Sequence, residues 1–199
     1  MLYTTLFWLF FIIWLYLLSV LKRAQLTGYY FILGSVGLFG VFIFLGQDYL
    51  VWLFSTALTT VAGFFGNLTG YFSTAGSNSL VVSHGTQTLY LYIDFECSGL
   101  IETTAFCSLI AFYPLYPLNE RLLLALTGSL YIFVANLLRI FLITTLLYYG
   151  GSSYFYLGHS ILGRLFFYIL VIILYYSVFT RSHIIQKLLS PFEVKTNGF

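Results

Sequence analysis

The chain has 199 residues, of which 60% are apolar, 22% aromatic and only 7% charged, and its formal net charge is +2. A soluble domain carries roughly a quarter of its residues as charges, so this composition excludes a water-facing globular fold. The mean hydropathy of +0.96 indicates a membrane protein. The basic residues form no run that could follow a phosphate backbone, which argues against nucleic-acid binding.

Long apolar segments divide the chain into predicted membrane-crossing helices. One crossing needs about 20 apolar residues, so the chain has room for five or six. The first segment has no charged side chain before it and ends at Lys22 and Arg23, which favours a retained helix over a cleaved signal peptide. We predict an all-α polytopic membrane protein, a single membrane domain over residues 1–199, with about five spans at 2–21, 29–45, 97–113, 122–148 and 159–180.

The region between the second and third predicted spans has a different composition. Residues 48–66 carry Ser and Thr on one helical face, which favours an amphipathic helix in the outer interface over a further crossing. Residues 67–96 form an outer segment rich in Gly, Ser, Thr and Asn. Within it, two β-like runs at 80–82 and 88–93 predict a small extracytoplasmic hairpin, since the second run alternates aliphatic residues with tyrosines.

The positive residues predict the orientation of the chain in the plasma membrane. Short cytoplasmic loops hold an excess of Lys and Arg, and three groups of cations can all lie on one side. The result is an outside N terminus and a cytoplasmic C terminus, provided that residues 48–66 do not cross. The cations concerned are Lys22, Arg23, Arg121, Arg181, Lys187 and Lys195.

A cysteine, an arginine and a histidine are predicted to lie at the same depth in the membrane. Cys97 and His159 begin their spans at the outer boundary, and Arg139 lies roughly 26 Å from the cytoplasmic end of its span at 1.5 Å per residue. A thiolate can attack a carbonyl group, a guanidinium can stabilise an oxyanion, and an imidazole can protonate a departing amine. The set therefore predicts acyl transfer.

The sequence around these positions resembles the exosortase and archaeosortase family in three short motifs, and the resemblance extends over residues 48–181. It is similar to the compact members found in Gram-positive bacteria, but it departs from the Arg and Ser that many members carry after the cysteine motif, where this chain has Leu100-Ile101-Glu102. The three matching motifs are Cys97-Ser98-Gly99, Asn136-Leu137-Leu138-Arg139-Ile140, and His159 with Gly163 four residues later.

The resemblance implies a multi-pass membrane cysteine transpeptidase whose active site faces outside. Its substrate would be an exported protein with a C-terminal tripartite sorting signal, cleaved through a thioester at Cys97 and transferred to a cell-envelope acceptor. No cofactor and no metal ion is implied. The catalytic residues would be Cys97, Arg139 and His159, supported by Asn136, Ser98 and Gly99.

Glu102 and Arg164 are further charged residues inside predicted spans, where a charge costs a few kcal/mol or more. Each lies roughly 7.5 Å below the outer start of its span. This matching depth predicts a buried ion pair that joins the third span to the last. The alternative is that Glu102 pairs with Arg139 and influences the active site directly.

Non-catalytic interpretations of the same residues stay open. Cys97 can be a small packing residue, as we expect for Cys107. Arg139 can extend its charge to the outer interface, and His159 can cap its helix. The protein would then be a small transporter or an assembly scaffold, although the sequence shows no inverted repeat of the kind that many transporters contain. The oligomeric state is not predicted.

Overall fold

The computed structural model describes residues 2–84 and 87–180, and the predicted tail with Arg181, Lys187 and Lys195 lies outside this part of the chain. In chain order the elements are α1 (Leu2–Arg23), α2 (Thr27–Thr69), β1 (Phe72–Thr74), β2 (Ser79–His84), β3 (Gln87–Tyr92), α3 (Leu100–Phe112), α4 (Leu118–Gly150), the 3₁₀ turn Gly151–Tyr154, the π-helical segment Leu157–Leu162, α5 (Gly163–Tyr175) and a second π-helical segment, Tyr176–Thr180.

The helices confirm the predicted class, an all-α polytopic membrane protein. Within the described residues, five helical stretches are long and apolar enough to cross a membrane. The predicted span 97–113 is the exception, because α3 has only 13 residues. Asp48–Thr69, with 22 residues, is instead the fifth stretch that is long and apolar enough. The five stretches are Thr5–Arg23, Thr27–Gly46, Asp48–Thr69, Leu118–Tyr154 and Leu157–Thr180.

Helix α2 continues through the position where the sequence predicted a break. Its 43 residues join the predicted second span, 29–45, to the predicted interfacial helix, 48–66. The predicted break at Gly46 is wrong because one glycine inside a helix costs only about 1 kcal/mol relative to alanine. At 1.5 Å per residue the helix is roughly 64 Å long, about twice the thickness of the hydrocarbon layer.

The predicted hairpin is present as β2 and β3, and β1 extends it to an antiparallel sheet in the order β1-β2-β3. β1 has only three residues and no alternating pattern, which is why it was not predicted. On β3, Leu91 is buried while Tyr90 and Tyr92 are exposed. The inner face of the sheet packs against α2 and α4 in one core that contains Leu58, Ala62, Phe72, Leu80, Val82, Leu91, Ile93, Cys97, Ile140, Ile143 and Leu147.

A second core holds α3, α4 and α5 together on the other side of the cysteine turn. Phe106 of α3 is its central side chain and is fully buried. A Cβ atom at Gly128 of α4 would overlap the Phe106 ring, so the glycine lets the two helices approach closely. Because lipid tails are as apolar as these side chains, close packing of this kind is what holds helices together in a membrane. The short helix α3 packs mainly against the two long helices α2 and α4.

Candidate active site

Cys97 lies in a tight turn immediately before α3. The backbone N–H groups of Cys97 and Ser98 donate to the carbonyl oxygen of Asp94, at 3.1 Å and 2.9 Å. The N–H of Cys97 also lies 3.3 Å from Oδ1 of Asp94. Gly99 ends the turn with φ of +76°, a left-handed conformation that glycine adopts without steric cost. These residues fix the position of the thiol ahead of the helix.

Asn136 connects this turn to α4. Its Nδ2 atom donates to the backbone carbonyl of Cys97 at 2.7 Å, and the side chain is buried. A Cβ atom at Gly99 would lie 3.1 Å from Nδ2, which is closer than an ordinary contact. Gly99 therefore serves two purposes, since it adopts the required backbone conformation and leaves space for the Asn136 amide.

Ser98 bonds to the backbone of its own turn. Its hydroxyl donates to the carbonyl of Phe95 at 3.1 Å and accepts from the N–H of Leu100 at 3.3 Å. The bond from Leu100 satisfies one of the N–H groups that have no partner in the first turn of a helix. The side chain of Ser98 thus stabilises the start of α3.

The side chains of Cys97, Arg139 and His159 meet at the thiol. Nη2 of Arg139 lies 3.7 Å from Sγ of Cys97. Nε2 of His159 lies 3.8 Å from the same Sγ atom. The three residues come from a turn, from α4 and from the π-helical segment before α5. The structure therefore brings together the set that the sequence predicted at one depth.

Arg139 points into the protein. Its side chain is 4% exposed, and its guanidinium carbon lies 5.7 Å from the centre of the Phe167 ring. The attraction between a cation and an aromatic face offsets part of the cost of burying the charge. Among the described residues no carboxylate lies within ion-pair distance of Arg139. The guanidinium therefore faces the thiol without a carboxylate in direct contact.

His159 is oriented by a stacked ring and by helix geometry. It lies in the π-helical segment Leu157–Leu162, a wider turn that is frequent at functional sites. Its ring stacks on Phe155 with centroids 5.5 Å apart and planes 14° apart, and its buried Nδ1 atom has no hydrogen-bond partner in the described chain. A Cβ atom at Gly163 would lie 2.8 Å from the side chain of Ile143, so the glycine lets this segment pack closely against α4.

The thiol of Cys97 lies outside the helices that are long enough to span a membrane. Burial raises its pKa above the ordinary value. The Arg139 guanidinium acts in the opposite direction and lowers the pKa, whereas the Asp94 carboxylate raises it. Because the net shift is upward, the resting cysteine is a neutral thiol at pH 7. For the sulfur to act as a nucleophile, a base must therefore accept its proton.

The predicted ion pair between Glu102 and Arg164 is wrong. Nη2 of Arg164 lies 3.3 Å from Oε2 of Glu96, and the two side chains are 46% and 71% exposed. The depth count assumed that the helix begins at Cys97, but α3 begins at Leu100. Glu102 is half-buried, and within residues 2–84 and 87–180 it forms no ion pair with Arg164 or Arg139.

A narrow cleft lies beside the thiol. Its free volume is about 10 Å³, which is enough for about one water molecule. In the described part of the chain, no three His, Cys, Asp or Glu side chains are grouped so that they could hold a metal ion. The cleft is lined by Leu91, Tyr92, Ile93, Cys97, Arg139, Ile140, Ile143 and His159.

Several residues of this site were not found by reasoning from the sequence. Phe167, which contacts the arginine, is one of many aromatic residues and carries no distinguishing pattern. Phe155 precedes His159 by four residues, a spacing that brings side chains together on a helix, and this signal was available in the sequence. The proximity of the end of β3 to the thiol could have been predicted. The predicted strand ends at Ile93, four positions before Cys97, so its proximity to the thiol follows from the short connection.

Fold and site together define a class: a polytopic helical membrane protein in which a cysteine, an arginine and a histidine are in contact. The family model described as transmembrane exosortase matches residues 2–176. The chain belongs to this family. It is therefore a multi-pass membrane protein of a family whose general activity is that of a cysteine transpeptidase acting on exported proteins. No curated protein and no solved structure matches the chain.

Proposed function

We propose that the protein cleaves the C-terminal sorting signal of exported proteins through a thioester at Cys97 and transfers the product to a cell-envelope acceptor. The observation that carries the proposal is the contact of one sulfur atom with two different groups. Sγ of Cys97 lies 3.8 Å from the imidazole of His159 and 3.7 Å from the guanidinium of Arg139. A nucleophile next to a base and a fixed cation is the arrangement that covalent acyl transfer requires.

In the acylation step, Nε2 of His159 accepts the proton of the Cys97 thiol as the sulfur attacks a peptide carbonyl. The C–S bond forms, and the electron pair of the carbonyl moves to its oxygen, where Arg139 stabilises the negative charge. The imidazolium of His159 then donates its proton to the departing nitrogen. The C–N bond breaks, which leaves a thioester on Cys97 and releases the C-terminal fragment as an amine.

In the second step the acceptor replaces the released amine. His159 accepts a proton from the acceptor nucleophile, which attacks the thioester carbonyl, and Arg139 again stabilises the oxyanion. The C–S bond breaks and the thiol of Cys97 is restored by the proton from His159. Water in place of the acceptor would give hydrolysis, so the same site supports both transfer and cleavage.

Burial of the site explains why a fixed charge would be effective here. Arg139 is almost completely buried and lies against an aromatic ring. In such an environment electrostatic interactions are stronger than in water, and a preorganised donor needs no reorientation as negative charge develops. The raised pKa of Cys97 is compatible with this mechanism because deprotonation is coupled to attack.

An apolar groove next to the site supports a sorting signal that contains a hydrophobic helix. The groove lies between α4 and α5 and has a volume of about 630 Å³. Two of its residues, Phe141 and Leu162, are close in the chain to Arg139 and His159. A helix that leaves the scissile bond and enters the membrane could pack there. In this proposal the active site faces the outside of the plasma membrane.

The test compares exported proteins in cells that produce wild-type protein, Cys97→Ala or Cys107→Ala. Cys107 is the matched control because it is the other free cysteine and its Sγ lies 3.4 Å from the hydroxyl of Ser129, away from the site. Mass spectrometry of C-terminal peptides should show cleaved termini with wild type and Cys107→Ala. With Cys97→Ala the same proteins should keep a C-terminal apolar helix. Processing that survives Cys97→Ala would favour a transporter or scaffold.

A further inference from the structure

The strand β3 lies at the edge of the small sheet. The N–H of Ile93 donates to the carbonyl of Asn78 at 2.8 Å, which continues the antiparallel pairing of β3 with β2. In such a pair, successive residues direct their backbone groups alternately toward the partner strand and away from it. The residues whose N–H and C=O groups point away from β2 are therefore Thr88, Tyr90 and Tyr92.

This outer edge is open along most of its length. Within the described residues, the turn after α4 approaches it at one end, where the hydroxyl of Ser152 donates to Oε1 of Gln87 at 3.3 Å. Toward the other end, Tyr90 and Tyr92 are 55% and 62% exposed. A strand edge with unpaired backbone groups is a template on which another extended chain can form hydrogen bonds.

The open edge leads directly to the thiol. Tyr92 lines the same cleft as Cys97 and His159, together with its neighbours Leu91 and Ile93. The edge and the reacting atoms therefore form one continuous surface. An extended peptide that paired with Thr88, Tyr90 and Tyr92 would place its last carbonyl group at the cleft.

We propose that the open edge of β3 binds the substrate segment on the N-terminal side of the scissile bond as a fourth strand. This inference rests on the proposed function. The attacked carbonyl must lie beside Cys97, close to Tyr92, so the preceding substrate residues extend toward Tyr90 and Thr88. The substrate then runs in the same direction as β3, and the new pairing is parallel.

The proposed binding mode defines the substrate by its conformation more than by its side chains. Hydrogen bonds between strands use only the backbone, so they provide affinity for many sequences. The cleft at the thiol is narrow, which favours a small side chain on the attacked residue. The expected substrate is an extended segment that ends in a small residue and is followed by the apolar helix of the sorting signal.

Peptide chloromethyl ketones test this mode on the full-length protein in lipid vesicles. The sulfur of Cys97 displaces chloride, so a C–S bond forms, the C–Cl bond breaks and His159 accepts the thiol proton. Two probes are compared at equal concentration, acetyl-alanine and acetyl-tetra-alanine chloromethyl ketone. If the longer probe adds hydrogen bonds along β3, it should alkylate Cys97 roughly tenfold faster, because each added bond raises its affinity for the site.

Two variants of Tyr90 distinguish the contribution of its backbone N–H from that of its aromatic ring. Tyr90→Pro removes an N–H that points away from β2, a position at which an edge strand tolerates proline. Tyr90→Ala removes the ring and keeps the N–H. The rate advantage of the longer probe should be lost in Tyr90→Pro and retained in Tyr90→Ala. Iodoacetamide, which needs no strand pairing, should modify Cys97 equally in both variants.

An acetyl-tetra-alanine probe that is N-methylated at the amides facing β3 tests the same hydrogen bonds on wild-type protein. It should lose the rate advantage of the longer probe, and this result does not depend on the folding of Tyr90→Pro. Equal rates for short and long probes, or an advantage that survives both N-methylation and Tyr90→Pro, would overturn the binding mode. A Cys97 that reacts with none of the ketones would instead count against the proposed function. The two failures are therefore distinguishable.

Discussion

The amino-terminal helix pair and the bundle around Cys97 are built from different contacts. α1 and the first part of α2 associate through aromatic rings, such as Phe7 and Phe44, whose stacked centroids are 4.0 Å apart. A side-chain hydrogen bond across the pair runs from Nε1 of Trp14 to the carbonyl of Leu33, at 2.9 Å. The rings are apolar and most of the surface of α1 is exposed, as expected for a pair of helices in lipid.

Around Cys97, by contrast, buried polar groups connect the elements. Asn136 bonds to the cysteine backbone and Arg139 contacts its sulfur, and both side chains are buried in α4. Burying such groups is expensive, and both of them contact Cys97. The helix pair therefore contributes membrane packing, whereas the α3–α5 bundle brings Cys97, Arg139 and His159 together.

Arg139→Gln is expected to cause the largest effect among substitutions that keep the thiol. Processing of exported protein should slow by roughly 100- to 1000-fold, the range associated with loss of one donor to a developing oxyanion. The measurement is the rate at which uncleaved protein disappears after synthesis. Arg164→Gln is the matched control, because its ion pair with Glu96 is exposed, and it should change the rate only a few-fold. Equal losses in the two variants would contradict a special function of Arg139.

Asn136→Ala should destabilise the bundle. The carbonyl of Cys97 would lose its 2.7 Å hydrogen bond in a buried position, which costs about 1–3 kcal/mol in the free energy of unfolding. Thermal unfolding of the protein in detergent micelles measures the effect as a lower midpoint. Asn119→Ala, at an exposed position in the first turn of α4, is the control and should leave the midpoint unchanged. An unaltered midpoint in Asn136→Ala would show that this bond is dispensable.

Asp94→Asn should alter the pH dependence of thiol reactivity. The Asp94 carboxylate raises the pKa of Cys97, so its neutral replacement should lower that pKa. The rate of alkylation by iodoacetamide, followed by mass spectrometry, should then reach half of its maximum at a lower pH than in wild type. Arg139→Gln should shift the curve in the opposite direction, since the guanidinium lowers the pKa. Shifts in the same direction for both variants would contradict this electrostatic description.

The parts of the site that could be predicted from the sequence are those that depend on distance along a helix. A fixed rise of 1.5 Å per residue was sufficient to place Arg139 at the depth of Cys97 and His159, and the three side chains are in contact in the structure. Alternation of side chains likewise predicted the hairpin formed by β2 and β3. Both rules use a regular geometry that tertiary packing leaves almost unchanged.

The errors arose where the geometry is irregular. The positive φ of Gly99 moves the start of α3 to Leu100, which invalidated the depth assigned to Glu102 and with it the predicted ion pair. The π-helical segment around His159 has no recognisable sequence pattern and was not predicted, although the spacing of four residues between Phe155 and His159 is one that brings side chains together on a helix. Helix α2 continued through Gly46 because nothing in its surroundings required a break.

Trp14→Phe is expected to have the smallest effect, and it tests the packing of the amino-terminal helix pair. The change keeps an aromatic ring between α1 and α2 but removes the N–H that donates to Leu33. The free energy of unfolding should fall by about 0.5–1.5 kcal/mol, measured by thermal unfolding in detergent micelles. Trp8→Phe is the control, because the indole of Trp8 is exposed.

Processing of exported protein by Trp14→Phe should equal that of wild type, since α1 contributes no residue to the cleft at the thiol. A loss of processing without a loss of stability would mean that the position of α1 is transmitted to Cys97. The contact available for such coupling is the packing of Trp14 against Phe112 at the end of α3, with ring centroids 6.4 Å apart. Because α3 begins directly after the cysteine turn, a displacement of Phe112 along the helix axis would reach the thiol.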